Sequence, residues 1–308
     1  MIKLLFKYKT KAYLLLWYAF LLLIHFVVKD RYQVFVFIFN AVSLLFIIVY
    51  GIIVALCLYK HKALLISMLV INCVLGVYWY NNYHYNTEDI TITNASKDTH
   101  SILFWNISRP TNLPLEDILK KMKAYHPEIL VFVEAKNISD KDISTFKTHY
   151  PLYNIQQLEG EMMIAVKGEI DDIKFNKITR GSKNNLVAVT IEGKHYKILI
   201  NDLFANPALS KKSEFKSIES SVKSEKIDFI VGDFNTPYES YFFNALKTDF
   251  ESFHKYNNGF TATWPSVFPV LEIDHIWVSK TWKPLILHKE FNNSSDHGVL
   301  IGTFQIKH

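Results

Sequence analysis

The sequence predicts two structural classes in one chain, an all-α membrane-spanning region followed by a mixed α/β sandwich. Three observations carry this. Apolar residues crowd the first eighty positions. Beyond His100, short apolar runs alternate with amphipathic helical ones, the pattern of strands and helices packed in layers. Polar residues recur at the ends of those runs, where layered α/β folds present reactive groups.

The first region, residues 1–81, holds three apolar stretches at 12–28, 34–59 and 63–80. Each is close to the ~20 residues a bilayer crossing requires. Trp17, Tyr18, Tyr50, Tyr59, Trp79 and Tyr80 can sit at the interfaces. A buried helical core is disfavoured because the stretches show almost no polar face. A cleaved signal peptide is disfavoured because no small-residue site closes the first stretch. His25 is expected to make a helix–helix polar contact. Lys3, Lys7, Lys9 and Lys11 precede the first span and Lys60 and Lys62 follow the second, which predicts a cytoplasmic amino terminus and an extracytoplasmic domain after the third span. Lys29 and Arg31, between the first two spans, oppose that orientation and are outnumbered.

The chain's net charge is +5. Residues 1–62 carry eight Lys or Arg against Asp30 alone, so the remainder is at −2. Polyanion binders concentrate basic charge on the binding domain, so nucleic acid is the less favoured partner. Both cysteines, Cys57 and Cys73, lie in predicted spans, so the outer domain has neither disulfide nor reactive thiol.

Residues 82–99 read as a polar linker and 100–308 as the catalytic domain. Strands are expected at 101–107, 129–133, 162–166, 186–191, 196–200, 229–231, 272–278 and 299–306. Helices are expected at 115–125, where Pro114 precedes a one-sided apolar face, and at 211–224 and 241–246. The stretch of most chemical interest is Ile230-Val231-Gly232-Asp233-Phe234-Asn235-Thr236-Pro237. A buried strand ends at Val231, and Gly232 is expected to turn the backbone so that Asp233 and Asn235 project together. An acid and an amide aimed at one point suit phosphate-ester hydrolysis, the acid acting on a water and the amide donating to a charged oxygen. An Asx-rich turn is the bland alternative. Asn106, Glu134, Asp274 and the pair Asp296-His297 also stand at the ends of apolar runs. Such an oxygen-rich, cysteine-free set suits Mg²⁺ or Mn²⁺ better than zinc.

These residues resemble the endonuclease/exonuclease/phosphatase family, the DNase I-like phosphoesterases. Leu103-Phe104-Trp105-Asn106-Ile107 is similar to the family's opening strand, and the segment from His126 to Glu134 to the one ending in its metal-binding Glu. Gly232-Asp233-Phe234-Asn235 matches the most specific motif, Ile273-Asp274-His275-Ile276 the segment supplying an Asp, and Ser295-Asp296-His297 the closing Asp-His. The resemblance implies a four-layer αββα sandwich. It also implies that Glu134 holds the metal with Asn106 and Asp296 close by, that Asp233 orients or activates water, and that Asn235 contacts phosphate. His297, held by Asp274, would bind or protonate phosphate oxygens.

Two positions depart from the family pattern. Val133 replaces a common Gln. Asp202 or Leu203 stands where a His or Tyr usually contacts phosphate, and an acid there would repel it unless a cation intervenes; Asn206 is a candidate for the lost contact. His275 is expected on the opposite face, as packing. The lysines 211, 212, 216, 223 and 226 are expected to be a solvated face rather than an anion-binding patch, and Trp264 and Phe268 ordinary loop packing rather than a membrane-dipping or substrate-lid element. The expected function is a membrane-anchored, Mg²⁺- or Mn²⁺-dependent phosphoesterase acting on a phosphate ester or pyrophosphate at the membrane, lipid-linked because a tether concentrates targets on its own surface. An extracytoplasmic nuclease and a catalytically silent binding module are the alternatives.

Overall fold

The computed structural model describes residues 2–87, 99–179 and 181–307. The chain divides into two units. The first comprises the residues up to His84 together with Asn206–Ser210 and Glu239–Tyr241; the second holds the rest. Most of the predicted linker, 88–98, lies outside the described residues.

In the helical unit, α1 spans Ile2–Leu23 and runs into a π-helical turn at Ile24–Val28, followed by α2 (Gln33–Ala41), α3 (Leu44–Cys57) and α4 (Lys62–Tyr83). Lys9–Val28 and Lys62–Tyr83 are each long and apolar enough to cross a membrane, which is compatible with anchoring. The second expected span is not one straight helix: α2 and α3 are bent by 81° at their break. Val42 and Ser43 adopt extended backbone there. No Pro or Gly marks the break, so the uniform apolar run hid it. Tyr18, Ile47, Val54 and Met68 form the buried seam. Gly51 packs where a Cβ would meet the Asn72 side chain at 2.3 Å, and Tyr18 donates to Asn72 Oδ1 at 3.2 Å. His25 is buried, but it stacks on Phe39, and among the described residues its Nδ1 has no hydrogen-bond partner, contrary to the polar contact expected.

The charges that opposed the predicted orientation are engaged within this unit. Asp30 is buried and accepts from Ser240 Oγ and from Tyr241 N at 2.9 Å. Lys29 donates to Glu239 O at 2.8 Å, and Arg31 lies over the Tyr241 ring. Gln33 and Asn40 hold the carbonyls of Ala208 and Pro207.

The second unit contains two six-stranded sheets. One has the order β11-β12-β1-β2-β4-β3, from Trp282–Glu290 (β11), Val299–Ile306 (β12), Thr99–Asn106 (β1), Ile129–Val133 (β2), Met162–Val166 (β4) and Asn154–Leu158 (β3). The other has the order β9-β10-β8-β7-β6-β5, from Phe250–Ser252 (β9), Asp274–Ser279 (β10), Phe229–Asp233 (β8), Lys194–Asp202 (β7), Lys183–Ile191 (β6) and Glu169–Lys177 (β5). Each sheet has one parallel pair, β1 with β2 and β7 with β8. Strand alternation builds the layers. Ile102 and Phe104 of β1 face the inter-sheet core with Val131, Ile198 and Val231. Leu103 and Trp105 face outward, under α5 (Leu115–Tyr125) and α6 (Asp140–His149). Leu199 and Ile230 likewise pack under α7 (Lys212–Ser224). The four-layer α/β/β/α sandwich is therefore as expected, with β3, β5, β9, β11 and α6 added to the predicted elements.

Candidate active site

The β8 motif begins with a close approach rather than a turn. The strand runs on to Asp233, and a Cβ on Gly232, whose φ is +154°, would meet the Asn201 carbonyl oxygen of β7 at 2.1 Å. Glycine is needed because two backbones touch. Beyond it, Asn235 takes left-handed backbone (φ 46°), its N donates to Asp233 Oδ1 at 2.8 Å, and its Nδ2 holds Leu203 O at 2.8 Å.

Strand register lines up the charged groups across the sheet. Asp274 of β10 pairs with Asp233 of β8, Asp233 with Asp202 of β7, and Asp202 with Lys183 of β6. Asn106, at the end of β1 and fully buried, reaches over from the facing sheet and donates Nδ2 to Asp233 Oδ2 at 2.9 Å. Its Oδ1 accepts from Ser108 N. Buried Asp233 is thus held by an amide on each oxygen.

His297 closes the site. Its Nδ1 is bonded to both Asp274 oxygens, at 2.9 and 3.1 Å, and its Nε2 points toward Asp233 Oδ2 at 3.9 Å and Asp296 Oδ1 at 4.0 Å. Burial alone would depress the imidazolium, but Asp274, Asp233 and Asp296 outweigh it and raise it to about 10. The ring therefore carries its Nε2 proton at neutral pH, beyond hydrogen-bond reach of either carboxylate and 3.4 Å from Asn106 Nδ2. Burial, and next the Asp274 carboxylate, push Asp233 well above the usual carboxylate range against the pull of His297. Asp296 is different: partial burial is outweighed by hydrogen bonds from Ser108 Oγ and Trp264 Nε1 (2.9 Å) and by the His297 charge, so it stays below that range. A carboxyl raised toward neutrality beside a fixed imidazolium is an acid–base arrangement.

Glu134 stands apart from these groups. Its carboxylate meets Arg109 Nη1 at 2.8 Å, and Arg109 Nε donates to Glu161 at 2.7 Å. Asp202 does not present a bare negative charge. Lys183 Nζ lies 3.1 Å from it, and burial pushes the acid up to about 6 despite that partner. The cation that an acid at this position requires is therefore the chain's own. Asn206 groups with the helical unit and caps its own loop, its Oδ1 accepting from Ala208 N. Val133 is enclosed and pairs in register with Asn106. His275 is core, against Phe234 and Phe243, as alternation implied. Lys211 departs from the expected solvated face: it is buried and donates to Phe204 O. Phe268 departs from the expected packing, being 61% exposed beside Val267 at 96%.

Among the described residues, Asp233, Asp274 and His297 are the one group of three such side chains whose donor atoms all lie within 4.8 Å of one another. The Asp274–His297 bond already uses part of that set, whereas Asp296 offers a carboxylate oxygen 4.0 Å from His297 Nε2 and Glu134 is paired with Arg109 outside the set. Such oxygen donors fit a hard divalent cation. Ser108, Arg109, Lys183, Glu161 and Trp264 complete the network, and the sequence had singled out only Trp264, as packing.

The profile described as the Endonuclease/Exonuclease/phosphatase family matches residues 103–297. Solved structures with the same fold include a humanized D. rerio TDP2, at 14% identity and TM-score 0.51, covering 67% of this chain and 99% of that one. The human Nocturnin catalytic domain with bound sulfate aligns at 15% identity and TM-score 0.51, covering 68% and 95%. An endonuclease/exonuclease/phosphatase family protein from Bacteroides thetaiotaomicron aligns at 12% identity and TM-score 0.53, covering 70% and 100%. No curated protein matches the chain in sequence. With the profile spanning more than half of the chain, and with the sandwich and the His–Asp pair in place, the chain belongs to the endonuclease/exonuclease/phosphatase family.

Proposed function

We propose that the chain is a membrane-anchored, divalent-metal-dependent phosphoesterase that hydrolyses a lipid-linked phosphate ester or pyrophosphate. One observation carries the lipid. Trp264 Nε1 and Ser266 N both bond to Asp296, to its carboxylate and its carbonyl respectively, and the same loop displays Val267 and Phe268 to solvent. An exposed apolar tip rooted on a site residue suits a substrate whose reacting phosphate adjoins an acyl or prenyl tail.

In this reading a phosphoryl oxygen takes the Nε2 proton of His297. Asp233, steadied by Asn106 and Asn235, orients a water and accepts its proton, and Asp274 fixes the imidazole. Glu134 and Asp296 would hold Mg²⁺ or Mn²⁺, which when bound neutralises charge on the phosphoryl group.

A nuclease is the second reading, since one D. rerio TDP2 structure is complexed with a single-stranded DNA product. The −2 charge beyond residue 62 counts against it. The silent-module alternative loses its motive once Lys183 pairs with Asp202. The test is phosphate or phosphodiester release by the detergent-purified chain with and without Mg²⁺ or Mn²⁺, on a prenyl pyrophosphate, a phospholipid and DNA. Metal-dependent turnover of a lipid, abolished in Glu134→Ala and His297→Ala, is expected; DNA cleavage alone, or no turnover, would reject the reading.

A further inference from the structure

Arg109 follows the site residues Asn106 and Ser108, yet the acid–base pair does not use it. Ser108 and Arg109 are consecutive and reach opposite ways. Ser108 Oγ bonds to Asp296 on the His297 arm. Arg109 turns to Glu134 and Glu161. Both have left-handed backbone, φ 52° and 49°, as does Glu134 at 55°. Such conformations are strained for a non-glycine residue and persist where the surroundings hold them.

The guanidinium is fixed but not consumed. Nε is taken by Glu161 and Nη1 by Glu134, while Nη2 bonds to nothing among the described residues, and the side chain is 47% exposed. Two carboxylates thus orient a planar fork and leave one edge for an incoming anion, which lowers the ordering cost of binding. Lys183 lies 4.0 Å from Glu161, and Lys136 3.8 Å. Glu161 therefore gathers three cations and holds the guanidinium among them.

We propose that Arg109 binds a second phosphoryl group, next to the one held at His297, so that the site takes a diphosphate. The proposal rests on the phosphoesterase reading and narrows its substrate class. Water adds to the terminal phosphorus and the bond from that phosphorus to the bridging oxygen breaks. Asp233 takes a proton from the water, His297 gives one to the bridging oxygen, and the products are orthophosphate and a monophosphate ester. Arg109 then faces the phosphate that leaves, where negative charge develops. A nucleic acid would need a longer basic track than one fork, and the residues beyond 62 sum to −2.

The test compares inorganic pyrophosphate with orthophosphate, titrated calorimetrically into the full detergent-solubilised chain in EDTA, for wild type, Arg109→Lys and Arg109→Gln. Loss of a charged contact should weaken pyrophosphate binding about tenfold or more in Arg109→Gln and change orthophosphate binding by less than about twofold, with Arg109→Lys between. With Mg²⁺ present, KM for a prenyl diphosphate should rise in the same order while KM for the monophosphate stays put. Equal losses for both anions would make Arg109 a prop for Glu134, and unchanged binding would remove it from the site; either overturns the proposal. The titration reads anion binding alone, so it decides Arg109 even if no ester is turned over, which would instead sink the phosphoesterase reading.

Discussion

Asp233 and Asp274 face each other across the antiparallel register of β8 and β10, two buried carboxylates with His297 bonded to one and aimed at the other. That relationship sets the protonation of the site. Because the carboxylates hold His297 protonated up to about 10, activity that needs its proton should decline on an alkaline limb near that pH. Asp274→Asn removes the principal cause, so the limb should move toward the ordinary histidine range and kcat should fall by about 10²–10⁴-fold. The same raised value stabilises the fold fully below about 6.5, and this contribution is lost as pH rises through about 10. A pH–rate profile of both proteins checks the first point and a urea midpoint series the second.

The family resemblance has Asn106 hydrogen-bonding near a metal, and its amide bonds Asp233 through Nδ2. Removing a buried hydrogen bond to a charged acceptor costs about 1.5–3 kcal/mol. Asn106→Ala should therefore lower kcat by about 10–100-fold and raise the acidic limb of the profile, since Asp233 loses a donor to its charged form. An unchanged acidic limb would show that Asp233 is not the titrating group.

Asp233, Asn235, Asp274 and His297 were legible in the sequence because each adjoins an apolar run that reads as a buried strand, and the family resemblance supplied their expected roles. The layers followed from the same runs. Lys183 was not legible, because its partner Asp202 is chosen by the β6–β7 register, which no local pattern reports. Strands β3 and β5 escaped for the opposite reason: they are sheet edges rich in polar and charged residues, where burial imposes little alternation. Arg109 carried no signal beyond its place in the loop just past the end of β1, and only the carboxylates around it give it meaning.

Asp202 makes a prediction about stability. Burial raises its folded value to about 6, above the ordinary carboxylate, so the unfolded chain releases this proton first as pH rises. The fold should lose up to about 3 kcal/mol of its stability between about pH 4 and pH 6 on this account. Asp202→Asn should flatten that slope and be the more stable protein near neutrality, because the amide never places a charge in the buried site. Urea unfolding of both proteins across pH 4–7 measures the difference in slope.

Val267 and Phe268 test the lipid. Each buries about 1.5–3 kcal/mol of apolar transfer energy if it enters a bilayer or packs on a tail. Val267→Ser with Phe268→Ser should raise KM for a lipid-linked substrate in vesicles by about tenfold or more. Turnover of a small water-soluble phosphate ester should not change, because Trp264 and Ser266, not the tip, hold Asp296. A parallel loss on both substrates would mean that the tip only supports Asp296. No loss on either would leave the exposed pair without a role in substrate capture.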